Sequence, residues 1–127
     1  MENLKPGITY TAETIVSEDN SALRLGSGQL AVFATPMMIA LMENASLNAV
    51  APYLDEGADT VGTAVNIVHS KATPVGDKVT ATAILTGVDG RKLTFDVIAE
   101  DSNGEIGIGT HERFIVDVEK FMGKLKK

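Results

Sequence analysis

The segment PMMIALMENASLNAVAPYL, residues 36–54, decides the fold, because it is long, apolar and interrupted by a single acid. Between Arg24 and Asp55 the only formally charged residue is Glu43, near the middle of this segment. Burying a carboxylate without partners is costly, since desolvation disfavours its charged form. Glu43 is therefore either an unfavourable residue that the fold tolerates or a functional residue that the fold holds in place.

The two ends of the segment predict that it is a helix. Thr35 can cap the free backbone N–H groups of a first turn, and Pro36 fits the first helical position. A proline and a glycine bracket the other end. We expect the helix to run from Pro36 to about Val50 or Leu54 and to be buried over most of its surface.

The sequence on either side of the helix alternates between apolar and polar residues, which is typical of strands. A first strand is predicted at Ile8–Val16, followed by a connector at Ser17–Phe33. After the helix, three alternating rows are predicted to face it: Val61, Thr63, Val65, Ile67 and His69; Val79, Ala81, Ala83 and Leu85; Leu93, Phe95, Val97 and Ala99.

Short turns join these later strands. Asp89-Gly90 and Asn103-Gly104 are tight-turn pairs, and a last strand is predicted at Glu105–Val118. The tail has helical spacing of apolar residues up to Leu125. Together the elements predict one α+β domain over residues 1–127, with an antiparallel sheet of about five strands wrapped around one long helix.

Composition excludes several classes of protein. The chain has 127 residues, no cysteine and a formal net charge of −6. The charge argues against a nucleic-acid partner, and the lack of cysteine excludes disulfides and thiolate metal sites. No apolar stretch approaches the roughly 20 residues that span a bilayer, and no signal peptide is recognisable. We therefore expect a cytoplasmic protein with no membrane partner.

The helix is apolar on more sides than one small sheet can cover. An exposed apolar helix face usually marks a contact with another protein. The sequence therefore predicts a homodimer or a higher oligomer, in which neighbouring helices or sheets cover the remainder.

Three residues could perform chemistry around this helix. Thr35 lies at its start, Glu43 eight residues later, and His69 in the row that faces it. A carboxylate, an imidazole and a hydroxyl supply a base, a proton shuttle and a nucleophile or orienting donor, and helix N-terminal amides can stabilise an oxyanion. This set suits acyl transfer or hydrolysis without a metal. Because a helix rises about 12 Å over eight residues, the site is either elongated or assembled from two subunits, and we favour the second arrangement.

Two stretches resemble a known family. VFATPMMIALMENASLNAVAPYL at residues 32–54 and VGTAVNIVHSKATPVGDKVTATAIL at residues 61–85 resemble the hot-dog-fold thioesterases related to fluoroacetyl-CoA thioesterase. The resemblance extends over roughly Ile8–Asp117. It implies a single hot-dog domain that hydrolyses small or medium acyl-CoA thioesters, with no cofactor beyond the coenzyme A of the substrate.

The same resemblance implies roles for particular residues. Thr35, Glu43 and His69 match the catalytic Thr, Glu and His of the family; Glu43 would attack the thioester or activate water, His69 would move protons, and Thr35 would orient or assist. Gly62 would line the acyl pocket, and Arg113 would lie near it.

One part of the chain departs from the family. The connector GSGQLAV, residues 26–32, lacks the aromatic lid residues of the fluoroacetyl-specific enzymes. Phe33 is the only aromatic residue it offers to a substrate, and the identity of the acyl group stays open.

Two other functions remain open at this stage. A hot-dog hydratase or dehydratase would act on similar thioesters without releasing a thiol, and a non-catalytic acyl-CoA-binding protein would bind without turnover. His111 alternates with Arg113 on the last strand and is interpreted as mainly structural. Several basic residues near turns could meet the phosphates of coenzyme A, but solvated surface charge explains each of them: Lys71, Lys78, Arg91 and Lys92.

Overall fold

The computed structural model describes residues 1–126. The five strands are β1 Thr9–Ile15, β2 Ala58–His69, β3 Lys78–Asp89, β4 Lys92–Asp101 and β5 Gly104–Asp117. The helices are α1 Ala22–Leu25, α2 Thr35–Val50 and α3 Val118–Leu125, with short 3₁₀ turns at Glu18–Asn20 and Ala51–Tyr53. All strand pairs are antiparallel, in the order β1-β3-β4-β5-β2. The predicted α+β architecture is confirmed.

The core lies between α2 and the concave face of the sheet. The two central alternating rows are confirmed, since Val79 to Leu85 on β3 and Leu93 to Ala99 on β4 bury every second residue. The side of α2 that meets them presents small and flexible side chains: Met38, Met42, Ala45, Ser46 and Ala49. Small residues on both surfaces allow the helix to lie close against the strands.

The first turn of α2 differs from its prediction. Ala34, not Thr35, is the N-cap residue, and no side chain caps the helix. Thr35 is instead the first helical residue, and its hydroxyl is hydrogen-bonded to the His69 ring. The expected capping role is wrong because a tertiary partner has replaced the local one.

The connector and the tail are both partly helical. The sequence predicts no element between residues 17 and 33, yet Ser21 caps α1 by accepting from the Arg24 amide at 3.2 Å. Gly26, with φ of +75°, ends that helix in the left-handed conformation that favours glycine. The tail helix is confirmed as α3. Within residues 1–126, no helix is both long enough and apolar enough to cross a membrane.

Strand β2 contains a β-bulge that changes which residues face α2. Gly62 pairs with Arg113 and Ala64 with Glu112, so Thr63 is an extra residue without a partner on β5. After the bulge, Val65, Ile67 and His69 pair with alternate residues of β5 that face the helix, as predicted. Before it, Thr60 and Gly62 take that face.

The predicted inward positions of Val61 and Thr63 are therefore wrong. Val61 pairs with the exposed Phe114 and shares its outer face. Thr63 is exposed, and its hydroxyl donates to the Glu112 carbonyl at 3.2 Å. An extra residue reverses the alternation of a strand, because side chains change face at every residue.

Strand β5 approaches β2 closely at Gly109. A Cβ added at this glycine would clash with the backbone oxygen of Asn66. Backbone atoms cannot move aside as a flexible side chain can, so β2 would have to shift. Gly87 on β3 offers a contrast, because a Cβ there would meet only Thr94, at 3.7 Å.

Gly109→Ala is expected to lower the free energy of unfolding by about 1–3 kcal/mol, the usual cost of overpacking. Urea denaturation of the purified variant measures this loss. Gly87→Ala is the matched control and should change stability by less than about 0.5 kcal/mol. Equal stabilities for the two variants would contradict the close approach at Gly109.

Candidate active site

Thr35 and His69 form a hydrogen-bonded pair at the N-terminal end of α2. His69 is the last residue of β2, and its Nδ1 atom lies 2.7 Å from Thr35 Oγ1. The other ring nitrogen, Nε2, is buried and has no hydrogen-bond partner among the described residues.

A cleft of about 220 Å³ opens beside this pair. The cleft is lined by Thr35, by His69 and by the buried Phe33. Residues from the connector and from the turn after β2 complete the lining. Burial lowers the pKa of His69 below its ordinary value of 6.5, and the nearby backbone of Lys71 opposes the shift. His69 is therefore neutral at neutral pH and can accept a proton.

The start of α2 offers fewer free amides than a helix end usually does. Pro36 has no amide hydrogen, and the Met37 and Met38 amides both donate to the Ala34 carbonyl, at 3.0 Å each. The Thr35 amide is the one N–H of this turn without a partner among residues 1–126. The predicted group of oxyanion-binding amides is reduced to a single donor.

Glu43 lies two turns further along α2, against β2 and β5. Its Oε2 is 3.9 Å from Arg113 Nη1, and its side chain is 39% exposed, so the expected deep burial is not found in the single chain. A Cβ at Gly62 would lie only 2.8 Å from the same oxygen. A larger residue at position 62 would have to displace this carboxylate, so Gly62 leaves free the space that Glu43 occupies.

Arg113 is almost fully buried beneath this carboxylate, with 5% of its surface exposed. Its Nε donates to Thr60 Oγ1 at 2.8 Å and its Nη2 to the Thr60 carbonyl at 2.9 Å. Burial lowers the pKa of Arg113, and the charge of Glu43 opposes the shift. The guanidinium therefore faces Glu43 and the sheet, away from bulk solvent.

His111 is the residue of this region that the sequence interpretation undervalued. It is fully buried, and its ring stacks against Phe95 with the ring centroids 6.2 Å apart. Its Nε2 atom lies 3.2 Å from Arg113 Nη1. Burial lowers its pKa, and the charge of Arg113 lowers it further. The alternation of His111 and Arg113 with the apolar Ile115 could have indicated that all three face the helix.

The described chain thus holds two groups of candidate site residues, not one. Thr35, His69 and Phe33 lie at the start of α2, while Glu43, Gly62 and Arg113 lie about two turns away. A rise of about 12 Å along the helix separates them. The first group can transfer protons and orient a carbonyl, and the second presents a partly exposed carboxylate as a nucleophile or base. No cluster of three or more potential metal-ligating side chains occurs in the described part of the chain.

Comparisons with known proteins match almost the whole chain. The family model described as "FlK: Fluoroacetyl-CoA-specific thioesterase" matches residues 16–119. The fluoroacetyl-CoA thioesterase of Streptantibioticus cattleyicolor is 49% identical over 96 residues, which cover 76% of this chain and 69% of that protein.

Solved structures agree with the sequence comparison. A structure of the fluoroacetyl-CoA thioesterase FlK superposes with a TM-score of 0.90 at 40% identity, over 97% of this chain and 96% of that one. A hot-dog-like protein from Thermanaerovibrio acidaminovorans has a TM-score of 0.89 at 22% identity, over 98% of this chain and 92% of that one. The predicted hot-dog fold is confirmed.

Lowering the pH from about 7 to about 5 is expected to reduce the free energy of unfolding. The pKa values of His69 and His111 are below their ordinary 6.5, so the unfolded chain binds protons there before the folded chain does. The part of the free energy of unfolding that depends on these two neutral imidazoles is fully present above pH 6.5. It is lost as the pH falls below 6.5 and through the lower pKa values of the folded chain. Urea denaturation at a series of pH values measures the slope.

The chain contains only two histidines, which makes the control direct. The double variant His69→Gln/His111→Gln should show a flatter dependence over the same pH range. A double variant with the wild-type slope would contradict this explanation.

Proposed function

The chain belongs to the fluoroacetyl-CoA-specific thioesterase family, and we propose that it hydrolyses acyl-CoA thioesters with small or medium acyl groups to a free acid and coenzyme A. The observation that supports this function most directly is the half-exposed Glu43 carboxylate, held between Gly62 and the buried Arg113. A carboxylate with one open side can reach a substrate carbonyl or a water molecule, whereas a fully paired one cannot.

In the proposed reaction Glu43 either attacks the thioester carbonyl, forming an acyl-enzyme anhydride that water cleaves, or takes a proton from an attacking water. In both cases the C–S bond breaks and the thiolate of coenzyme A leaves. His69 is neutral and supplies proton transfer, and Thr35 holds its ring through Nδ1. The free Thr35 amide can donate to the developing oxyanion. The reaction needs no cofactor besides the coenzyme A of the substrate.

The remaining predicted residues fit this reaction in different ways. Gly62 borders the Glu43 carboxylate, and we propose that it lies beside the reacting acyl group. Phe33 lines the cleft beside His69 and is proposed to contact the substrate there. Arg113 is too buried to bind phosphates, so we assign its effect on the substrate to the orientation of Glu43.

A homodimer would bring the two groups of residues together. Strand β2 is an edge strand that pairs only with β5, and its Val65 and Val68 are 42% and 62% exposed. Antiparallel pairing of two β2 strands, centred on Asn66 and with the bulge residue Thr63 again left without a partner, would place His69 opposite the partner subunit's Gly62. Residues that pair directly share a face of the sheet, so each His69 would then approach a Glu43 of the other chain. The active site is therefore proposed to lie at the subunit interface.

Glu43→Gln is expected to reduce acyl-CoA hydrolysis by several hundredfold, within the 10²–10⁴-fold range of a lost general base. Thiol release from a panel that includes acetyl-, fluoroacetyl-, butyryl- and hexanoyl-CoA measures the loss and identifies the acyl group. Glu112→Gln is the matched control, because its side chain is 36% exposed, close to the value for Glu43, and is paired with Lys92 on the outer face.

Three results would contradict the proposal. Near-normal turnover by Glu43→Gln would show that the Glu43 carboxylate takes no part in the reaction. Conversion of an enoyl-CoA without thiol release would indicate a hydratase. Binding of acyl-CoA without turnover of any member of the panel would indicate a non-catalytic protein.

Mixing two inactive variants tests the composite site. Glu43→Gln and His69→Ala subunits, denatured together and refolded, form mixed dimers in which one of the two sites retains both residues. About a quarter of the wild-type activity is expected in a 1:1 mixture if each site uses two chains. Sites contained within one chain would give no recovery, and light scattering of each preparation verifies that dimers are present.

A further inference from the structure

We propose that His111 is a positioning residue for the reaction: a neutral imidazole that fixes the Arg113 guanidinium beneath Glu43 and so sets the direction of the catalytic carboxylate. This inference rests on the proposed role of Glu43. It concerns a side chain that contacts no substrate and that acts through Arg113.

The contacts of the His111 ring require a neutral imidazole of one tautomer. Nδ1 lies 2.8 Å from the Ala64 carbonyl, which can only accept a hydrogen bond, so Nδ1 bears the hydrogen. Nε2 lies 3.2 Å from Arg113 Nη1, which can only donate. A proton on Nε2 would place two N–H groups face to face, so both neighbours select the same neutral form.

The same hydrogen bond determines how Arg113 presents its charge. Nε and Nη2 are both directed to Thr60, through its hydroxyl and its carbonyl. Nη1 is the nitrogen nearest to Glu43 Oε2, at 3.9 Å. Because one Nη1 hydrogen is taken by His111, only the other remains to face the carboxylate. Loss of the His111 acceptor would leave the planar guanidinium held only by Thr60 and free to tilt as a whole away from Glu43.

The ring also packs against Phe95 and close to Gly62. Phe95 stacks on it with 29° between the planes, and the Cε1 atom lies 3.2 Å from the position that a Cβ of Gly62 would occupy. Its other polar contact, Ala64, immediately follows the extra residue of the β2 bulge. His111 therefore joins the bulge, Gly62 and Arg113 in one packed unit directly beneath Glu43.

Two roles of His111 can be separated by substitution. A glutamine amide extends from Cβ about as far as Nε2, so His111→Gln keeps an acceptor for Arg113 and loses the donor to Ala64. An asparagine amide extends about as far as Nδ1, so His111→Asn keeps the donor to Ala64 and loses the acceptor for Arg113. The two variants form a matched pair.

The positioning role predicts opposite effects on activity and stability. His111→Gln is expected to melt below the wild-type temperature yet to keep kcat within about threefold, whereas His111→Asn should lose kcat by about 10²-fold with KM little changed, as expected for a misdirected catalytic group. Steady-state kinetics with the acyl-CoA that gives the highest turnover, and thermal melting of the same full-length preparations, give both quantities.

The reverse pattern would overturn the proposal. If His111→Asn stays active and His111→Gln is impaired, the histidine only anchors the bulge. If both variants lose activity in proportion to their loss of stability, it only fills the core.

A double variant separates a failure of this inference from a failure of the proposed function. His111→Asn added to Glu43→Gln should lower the residual rate no further, because His111 acts through Glu43. A further 10²-fold loss would show that it acts elsewhere. A fully active Glu43→Gln single variant would instead reject the role of Glu43 itself.

Discussion

The extra residue in β2 is the constraint on which both halves of the candidate site depend. Gly62 and His69 are an odd number of positions apart, so a regular strand would direct them to opposite faces of the sheet. The bulge at Thr63 removes one alternation, and both residues then pair with inward-facing positions of β5. One helix can consequently place its first residue against His69 and its acid against Gly62.

A second constraint is electrostatic. A guanidinium inside a sheet is tolerated only when its donors are paired, because an unpaired buried charge is strongly unfavourable. Arg113 meets this condition through Thr60 and His111, and Glu43 supplies the opposing charge. The partly open carboxylate thus faces a cation that is itself held by hydrogen bonds to the sheet.

The features that the sequence predicts well are those governed by local periodicity. The apolar rows of β3 and β4, the turn pairs and the long helix follow from side-chain direction and turn chemistry, which a short window of residues contains. The face of Val61, the partner of the Thr35 hydroxyl and the burial of His111 depend on contacts between distant segments. A bulge in particular leaves no trace in an alternating pattern such as that of Val61 to His69, because the apolar residues continue at every second position across it.

The position of β2 at the edge of the sheet has a consequence for how this fold can fail. Natural sheets discourage further chains from adding to an open edge with lysine, proline or inward-pointing charges. Residues 60–68 contain none of these, and the bulge is the only irregularity along the strand. If the chain forms the proposed dimer, a subunit that loses its neighbour would therefore expose a strand edge that almost nothing protects from further pairing. Conditions that separate the subunits of that dimer should then yield insoluble aggregates in preference to a soluble monomer.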